Sequence, residues 1–396
     1  MKITMDLLDV FFKSVTDKDT DVSFVKDLYE SYPDSVYKFA KRVFEDGDFR
    51  WHNLCSIQIP KSNGGFRNIC PQFNEDKFVA SFISYILFRF YGGKISNKCI
   101  SYKPGFGYFG YLRKINKDRQ GLTGYKMDIK SYFDNIPNDK LEELVRSLNL
   151  DNVVERLIID LFSNTIDSST GECHKGIIQG SPISAYFADL YLSDVDDIMS
   201  SKCKVYYRYC DDIIMFGDNI EACKDIFSKL LVSKGLEINP DKCERIEPNG
   251  TLIFLGCKVG DILEPKSEWT KDLHKDLRAT ISNIHCKNSA KEFQKVVMAI
   301  QKKLYKGRYS ILTYLFNMRV SADYIMELDK YCKQLIRHHF TGCWNYTKNI
   351  HKIPEDYIYM VGWVNLMDLR SLYYSDRDKY DETIFNIFSW RSMDVK

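Results

Sequence analysis

At 396 residues the chain is too long for one average core, so two or three lobes are expected. A net charge of +2 argues against a uniformly basic nucleic-acid binder, but the charge is uneven: residues 261–353 hold 17 Lys and Arg against 9 Asp and Glu, while the first fifty hold 8 against 11. Twelve cysteines without a Cys-x-x-Cys pair, no signal peptide and no apolar stretch of membrane length point to a reduced, cytoplasmic protein without disulfides or a membrane span.

In chain order, residues 1–50 alternate apolar and charged positions at helical spacing, with Leu7, Leu8, Phe11 and Phe12 on one face and Phe24, Val25, Leu28 and Tyr29 on another. They predict a short helical leader. From residue 51 a strand pattern follows, broken by Ser62-Asn63-Gly64-Gly65, a hairpin signal. Asp76–Tyr91 reads as a largely apolar helix ended by Gly92-Gly93. Gly105-Phe106-Gly107-Tyr108-Phe109-Gly110 fits G-x-G-x-x-G in form, yet no apolar strand precedes it and no ribose-binding acid sits in a βαβ frame, so no dinucleotide site is expected. Beyond residue 261 the pattern is helical almost throughout. Phe293, Val296, Val297, Ile300 and Leu304 repeat at three and four, and Tyr324, Ile325, Leu328, Tyr331, Cys332, Leu335 and Ile336 do so again. The opposite face of the first of these helices carries Lys291, Lys295, Lys302, Lys303 and Lys306, with Arg308 just beyond. The chain thus divides into a leader (1–50), a central region (51–260) and a helical C-terminal region (261–396).

The chemistry concentrates in three carboxylates. Asp128 ends the strand-like run Tyr125-Lys126-Met127-Asp128-Ile129, and Asp211-Asp212 occupies a tight turn between the apolar runs of Val205–Gly217. A carboxylate between apolar strands must be paired, protonated or bound to metal, and three brought together would repel one another. A divalent cation site with oxygen ligands, suited to magnesium or manganese, is the economical explanation. His338, His339 and Cys343 also come to mind as zinc ligands, but no fourth ligand stands at structural-zinc spacing.

An Asp-Asp pair alone is usually a solvated turn; the order of the surrounding motifs changes that reading. Ile59–Arg67 (IPKSNGGFR), Tyr125–Pro137 (YKMDIKSYFDNIP), Gly176–Pro182 (GIIQGSP), Tyr209-Cys210-Asp211-Asp212, Gly235–Lys242 (GLEINPDK) and Phe254-Leu255-Gly256 follow one another. This series resembles the reverse transcriptase family, matching its fingers and palm blocks over roughly residues 51–260. The resemblance implies an α+β right-hand polymerase fold, with an antiparallel sheet packed on helices and an all-helical thumb and C-terminal lobe. It implies RNA-directed DNA synthesis from a primer 3′ hydroxyl with dNTPs and two Mg2+ or Mn2+ ions per site. By the same resemblance, Asp128 and Asp211 bridge the metals, Asp212 supports them, and the Ile129 carbonyl is a further ligand. Lys61 and Arg67 close on the triphosphate, and Lys242 stands near it. Phe133, five positions after Asp128, matches the aromatic gate against a 2′ hydroxyl, and Gln179 belongs to the motif opening the palm helix. Gly105–Gly110 matches the block that shapes the template path. Ala185 departs from the family's frequent proline, so a different local template geometry is expected there, and Asp134 is either a family acid or a helix cap.

Directly after a palm, Lys291, Lys295, Lys302, Lys303, Lys306 and Arg308 are expected to grip phosphates, with Tyr305, Tyr309, Tyr314 and Phe316 as stacking platforms for unpaired RNA bases. The remaining length leaves no room for RNase H, integrase or nuclease domains, and the retron-type Val-Thr-Gly is missing. The nearest resemblance is therefore to bacterial unknown-group, defence-associated reverse transcriptases, including the class-2 members that copy a dedicated noncoding RNA. The expected partners are that RNA template, dNTPs and the cDNA product, with no membrane. An untemplated or protein-primed DNA polymerase and a noncatalytic RNA-binding scaffold are the alternatives; the intact carboxylates argue against the scaffold.

Overall fold

The computed structural model describes residues 2–14, 20–60, 66–72, 74–102, 107–285, 289–305 and 310–389. Two compact units divide it, one of Met1–Tyr108 with Lys117–Gly250 and the other of Phe109–Asn116 with Thr251–Lys396.

In the first unit, β1 (Cys55–Pro60) and β2 (Phe66–Ile69) pair antiparallel, with Ile59 facing Arg67 and Pro60 facing Phe66; the expected turn residues Ser62–Gly65 lie outside the described residues. The central sheet takes β3 (Thr123–Asp128), and β4 (Ile166–Asp167) instead pairs in parallel with β1. With β5 (Val205–Tyr209), β6 (Asp212–Gly217) and β7 (Glu244–Ile246), the central sheet has the order β5-β6-β3-β7, antiparallel throughout. Alternation along β3 sends Tyr125 and Met127 into the main core and sets Lys126 and Asp128 on the opposite side of the sheet. The helices Asn74–Tyr91, Pro182–Tyr191, Ser193–Lys202 and Ile220–Ser233 add to that core through Phe82, Ile86, Phe187, Val195, Phe227 and Leu231.

The N-terminal helices Met5–Ser14, Thr20–Ser31 and Pro33–Phe44 share this core. Phe12 stacks on Tyr29 at 4.3 Å, and Phe11 meets Phe82 edge-on at 5.1 Å. Among the described residues Asp6, Asp27, Glu30, Asp34, Glu45, Asp46 and Asp48 are exposed, which is why the charge of the segment gave little hint of its buried side.

The second unit carries a small antiparallel sheet of β8 (Leu252–Phe254), β9 (Cys257–Val259) and β10 (Glu264–Pro265), then helices to Ser389. The apolar repeats read from the sequence form its core: Phe293, Val296, Val297, Ile300, Leu304, Ile325, Leu328, Cys332, Leu335 and Ile336 are all buried. Side-chain caps start its helices, Ser310 accepting from the Thr313 amide and Ser321 from the Tyr324 amide, and Gly342 in the left-handed region ends Ala322–Thr341. Among the described residues no helix is long and apolar enough to cross a membrane, and their cysteines are all free thiols.

Candidate active site

The sheet register assembles the carboxylates. Tyr209 pairs with Asp212 across β5 and β6, leaving Cys210 and Asp211 as the two residues of the hairpin turn. Cys210 adopts φ 55°, a left-handed conformation that costs a non-glycine residue about 1–2 kcal/mol. Asp212 is the partner of Asp128 across β6 and β3, and the Ile129 amide donates to the Asp211 carbonyl at 3.1 Å. Asp128 thereby meets Asp211 and Asp212, more than eighty positions further along the chain, at one end of the sheet. Ile129, the expected carbonyl ligand, sits beside them with its side chain in the core.

Lys242 completes the cluster. Asn239 donates its amide to the Asp128 carbonyl at 2.8 Å and accepts from the Asp241 amide at 3.2 Å, forming a short turn over Pro240–Lys242. That turn delivers the Lys242 Nζ to Asp128 Oδ2 at 2.7 Å. The cleft they line has a volume of about 550 Å³ and also exposes Lys126, Asp241 and Glu244. Burial, then the neighbouring Asp128, pushes the Asp211 carboxyl above its ordinary range. Burial, then Asp211 and Asp128, pushes Asp212 up to about 6. The hydrogen bond to Asp128 holds the Lys242 ammonium above its usual value. Crowded hard-oxygen donors whose ionisation is opposed by one another are a donor set that fits Mg2+ or Mn2+, which Asp128, Asp211 and Asp212 would hold.

Beneath the turn lies a charged network that sequence reasoning missed. Arg208 is fully buried on β5, and its guanidinium donates to Asp196 Oδ1 at 2.9 Å, to Asp196 Oδ2 at 2.7 Å, to the Asp189 carbonyl at 2.7 Å and to the Cys210 carbonyl at 3.1 Å. Tyr206 adds a hydroxyl to Asp196 at 2.9 Å. Ser101 links the second acid to the turn, donating to Asp189 Oδ1 at 2.6 Å and accepting from the Cys210 amide at 3.0 Å. Both polar backbone groups of Cys210 are thus tied to buried side chains, which holds the left-handed turn. The one available signal was an arginine inside the apolar run Val205–Tyr209, a position that demands a buried partner.

Around the cleft, Phe133 is half-buried against Tyr132 at 5.8 Å, and its carbonyl accepts from the Ile177 amide at 2.8 Å. Gln179 is bridged to β2, its carbonyl accepting from the Cys70 amide at 2.8 Å. Gly180 has φ 98°, and a Cβ there would lie 2.6 Å from Ile69, so only glycine fits this junction. Ser181 then caps the helix that Pro182 begins. Arg67 is exposed on β2. Lys61, Lys306, Arg308 and Tyr309 lie outside the described residues, as do Gly105 and Phe106 of the glycine-aromatic block.

In the second unit, Lys291, Lys295, Lys302 and Lys303 occupy the exposed side of Ser289–Tyr305, with Lys303 paired to Asp276 at 3.1 Å. The net positive count of the region overstates its wet charge, because Lys333 is buried against Asp329 and Glu355, and Arg337 is buried with its Nε on the Ile353 carbonyl. Two expected stacking platforms are corrected: Tyr305 and Phe316 are 1% and 0% exposed and belong to the core, since their helical positions fall on the apolar stripe. Tyr314 is half-buried between Phe109 and Trp269. The imagined zinc trio also separates, His338 stacking on Trp344 at 4.2 Å and Cys343 accepting from the Asn345 amide at 3.3 Å.

Comparison with known proteins bears on the central region. The sequence profile described as "Reverse transcriptase (RNA-dependent DNA polymerase)" matches residues 59–259. The chain is 28% identical over 152 residues to the "Uncharacterized 91 kDa protein in cob intron" of Schizosaccharomyces pombe, covering 37% of this chain and 18% of the relative. It is 24% identical over 167 residues to the "Putative COX1/OXI3 intron 1 protein" of Saccharomyces cerevisiae, covering 41% and 20%. The chain spans about a fifth of the length of these curated relatives. Among solved structures, apo telomerase from Candida tropicalis superposes with a TM-score of 0.44 at 13% identity, covering 85% of this chain and 69% of that one. The profile takes in β3, β6 and every carboxylate of the cleft, and spans just over half of the sequence: the chain belongs to the reverse transcriptase family.

Proposed function

We propose that the protein is an RNA-directed DNA polymerase that extends a primer 3′ hydroxyl with dNTPs. The observation that carries this reading is the convergence of Asp128, Asp211 and Asp212 at one end of the β3–β6 pair, in a cleft closed on one side by Lys242. Two bound divalent cations would supply activation of the primer hydroxyl and neutralisation of charge on the departing pyrophosphate. Asp128 and Asp211 hold them, and Asp212 adds negative charge behind. Lys242, preset at 2.7 Å from Asp128, directs its ammonium into the cleft, where it can donate a proton toward the leaving phosphate. Phe133 limits the room beside the sugar, Arg67 and Lys61 meet the triphosphate, and Gln179 with Ser181 supports the nascent pair.

The template we assign is a structured RNA, contacted through phosphates by Lys291, Lys295, Lys302, Lys303, Lys306 and Arg308. A narrower reading is a bacterial defence enzyme copying a dedicated noncoding RNA; the curated relatives, being intron-encoded, make intron RNA the competing template. Primer extension on primed RNA with Mg2+ tests the activity, and the double variant Asp211→Ala, Asp212→Ala should abolish it while leaving the fold intact. Continued incorporation by that variant would refute the site. Sequencing the RNA that copurifies with the chain decides between the templates.

A further inference from the structure

Away from the palm cleft, three side chains from separate segments of the C-terminal unit converge. His285 follows the helix Ser267–Ile281, Glu292 lies in the first turn of Ser289–Tyr305, and His339 lies in the last turn of Ala322–Thr341. His339 Nε2 stands 3.3 Å from Glu292 Oε1, and His285 Nδ1 stands 3.8 Å from the same oxygen. The three donor atoms all lie within 4.8 Å of one another. We propose that His285, Glu292 and His339 form a binding site for one borderline transition-metal ion, Zn2+ foremost, separate from the palm carboxylates and independent of the polymerase reading.

Three observations support the site. Donors at about 2.0–2.1 Å from a tetrahedral ion stand about 3.4 Å apart, close to the 3.3 and 3.8 Å found here. At 3.8 Å the His285 nitrogen is too far from the carboxylate for a hydrogen bond, so a simple hydrogen-bonded triad does not account for its position. The setting is also half-dry. The side chains of Glu292 and His339 are 17% and 10% exposed, whereas His285 is 77% exposed and leaves an entry path for the ion and a water as fourth ligand. Phe293 stacks on Phe340 at 4.9 Å, locking the two helices that present Glu292 and His339. Two imidazoles and one carboxylate favour Zn2+, Co2+ or Ni2+ over Mg2+, which prefers oxygen ligands. The ion would tie the segment after Ser267–Ile281 to the helix that bears Lys291, Lys295 and Lys302, steadying the proposed phosphate-binding face.

The full chain, stripped with chelator and returned to buffer with millimolar Mg2+, should bind one equivalent of Zn2+ and raise its unfolding temperature. Co2+ should substitute and show the visible absorption of a tetrahedral site. His285→Ala, a surface change, should weaken Zn2+ binding at least about tenfold, as should Glu292→Gln. His338→Ala, which removes a ring stacked on Trp344, and Asp211→Asn, in the palm, should both retain the ion. No stoichiometric ion in the presence of Mg2+, or undiminished binding by His285→Ala and Glu292→Gln, would overturn the proposal.

Discussion

Replacing Asp212 by asparagine should stabilise the metal-free protein, an unusual outcome for a residue of a polymerase cleft. Burial and the carboxylates of Asp211 and Asp128 raise Asp212 from an ordinary 3.8 to about 6. The folded protein therefore holds this proton more tightly than the unfolded chain does. Below about pH 4 the group is neutral in both states and costs nothing; between 4 and 6 the folded state loses ground, and above 6 the full penalty applies. At about 1.4 kcal/mol for each tenfold change in proton affinity, that rise corresponds to about 3 kcal/mol. Asparagine is nearly isosteric and carries no charge, so it removes the penalty while keeping the β6 backbone pairing. Urea unfolding in the presence of chelator should show the variant more stable than the wild type by up to about 3 kcal/mol at pH 8 and equal to it near pH 4. Added Mg2+ should narrow the gap at pH 8, because it binds the intact carboxylate set better than the variant. A variant no more stable at pH 8 than the wild type, or one whose advantage does not change with pH, would refute the electrostatic account of the cleft.

Three further outcomes are expected. Arg208→Met should cost about 3–5 kcal/mol by stranding the buried Asp196, and adding Asp196→Leu should restore much of that stability, both read by denaturant unfolding. Phe133→Val should admit ribonucleotides in a competition assay between dNTP and rNTP; if sugar choice is unchanged while stability drops, the ring is only core packing. Reversing Lys295, Lys302 and Lys303 to Glu should weaken RNA binding and flatten its dependence on salt by roughly 0.7 in the log–log slope for each phosphate no longer neutralised, measured by binding titrations over a range of salt; an unaltered slope would place these residues off the RNA.

Features that depend on neighbours in the chain were readable from the sequence alone. The start of the helix at Pro182 follows from a proline that needs no donor, and the C-terminal helices follow from apolar spacing. Asp128, Asp211 and Asp212 stood out because charge at the end of an apolar strand is costly wherever that strand packs. Long-range pairing decided the rest. Only the register of β3 on β6 brings Asp128 opposite Asp212, and only the turn at Asn239 sets Lys242 on that acid. Which basic residues stay wet was likewise a tertiary matter: Lys333 and Arg337 are consumed by buried partners, while Lys295 and Lys302 remain outside. The Arg208 network and the meeting of His285, Glu292 and His339 join residues separated by up to 109 positions in the first case and 47 between Glu292 and His339 in the second. Local propensity carries no information about such encounters, because the free energy that selects them comes from closing the core and pairing the charges it buries.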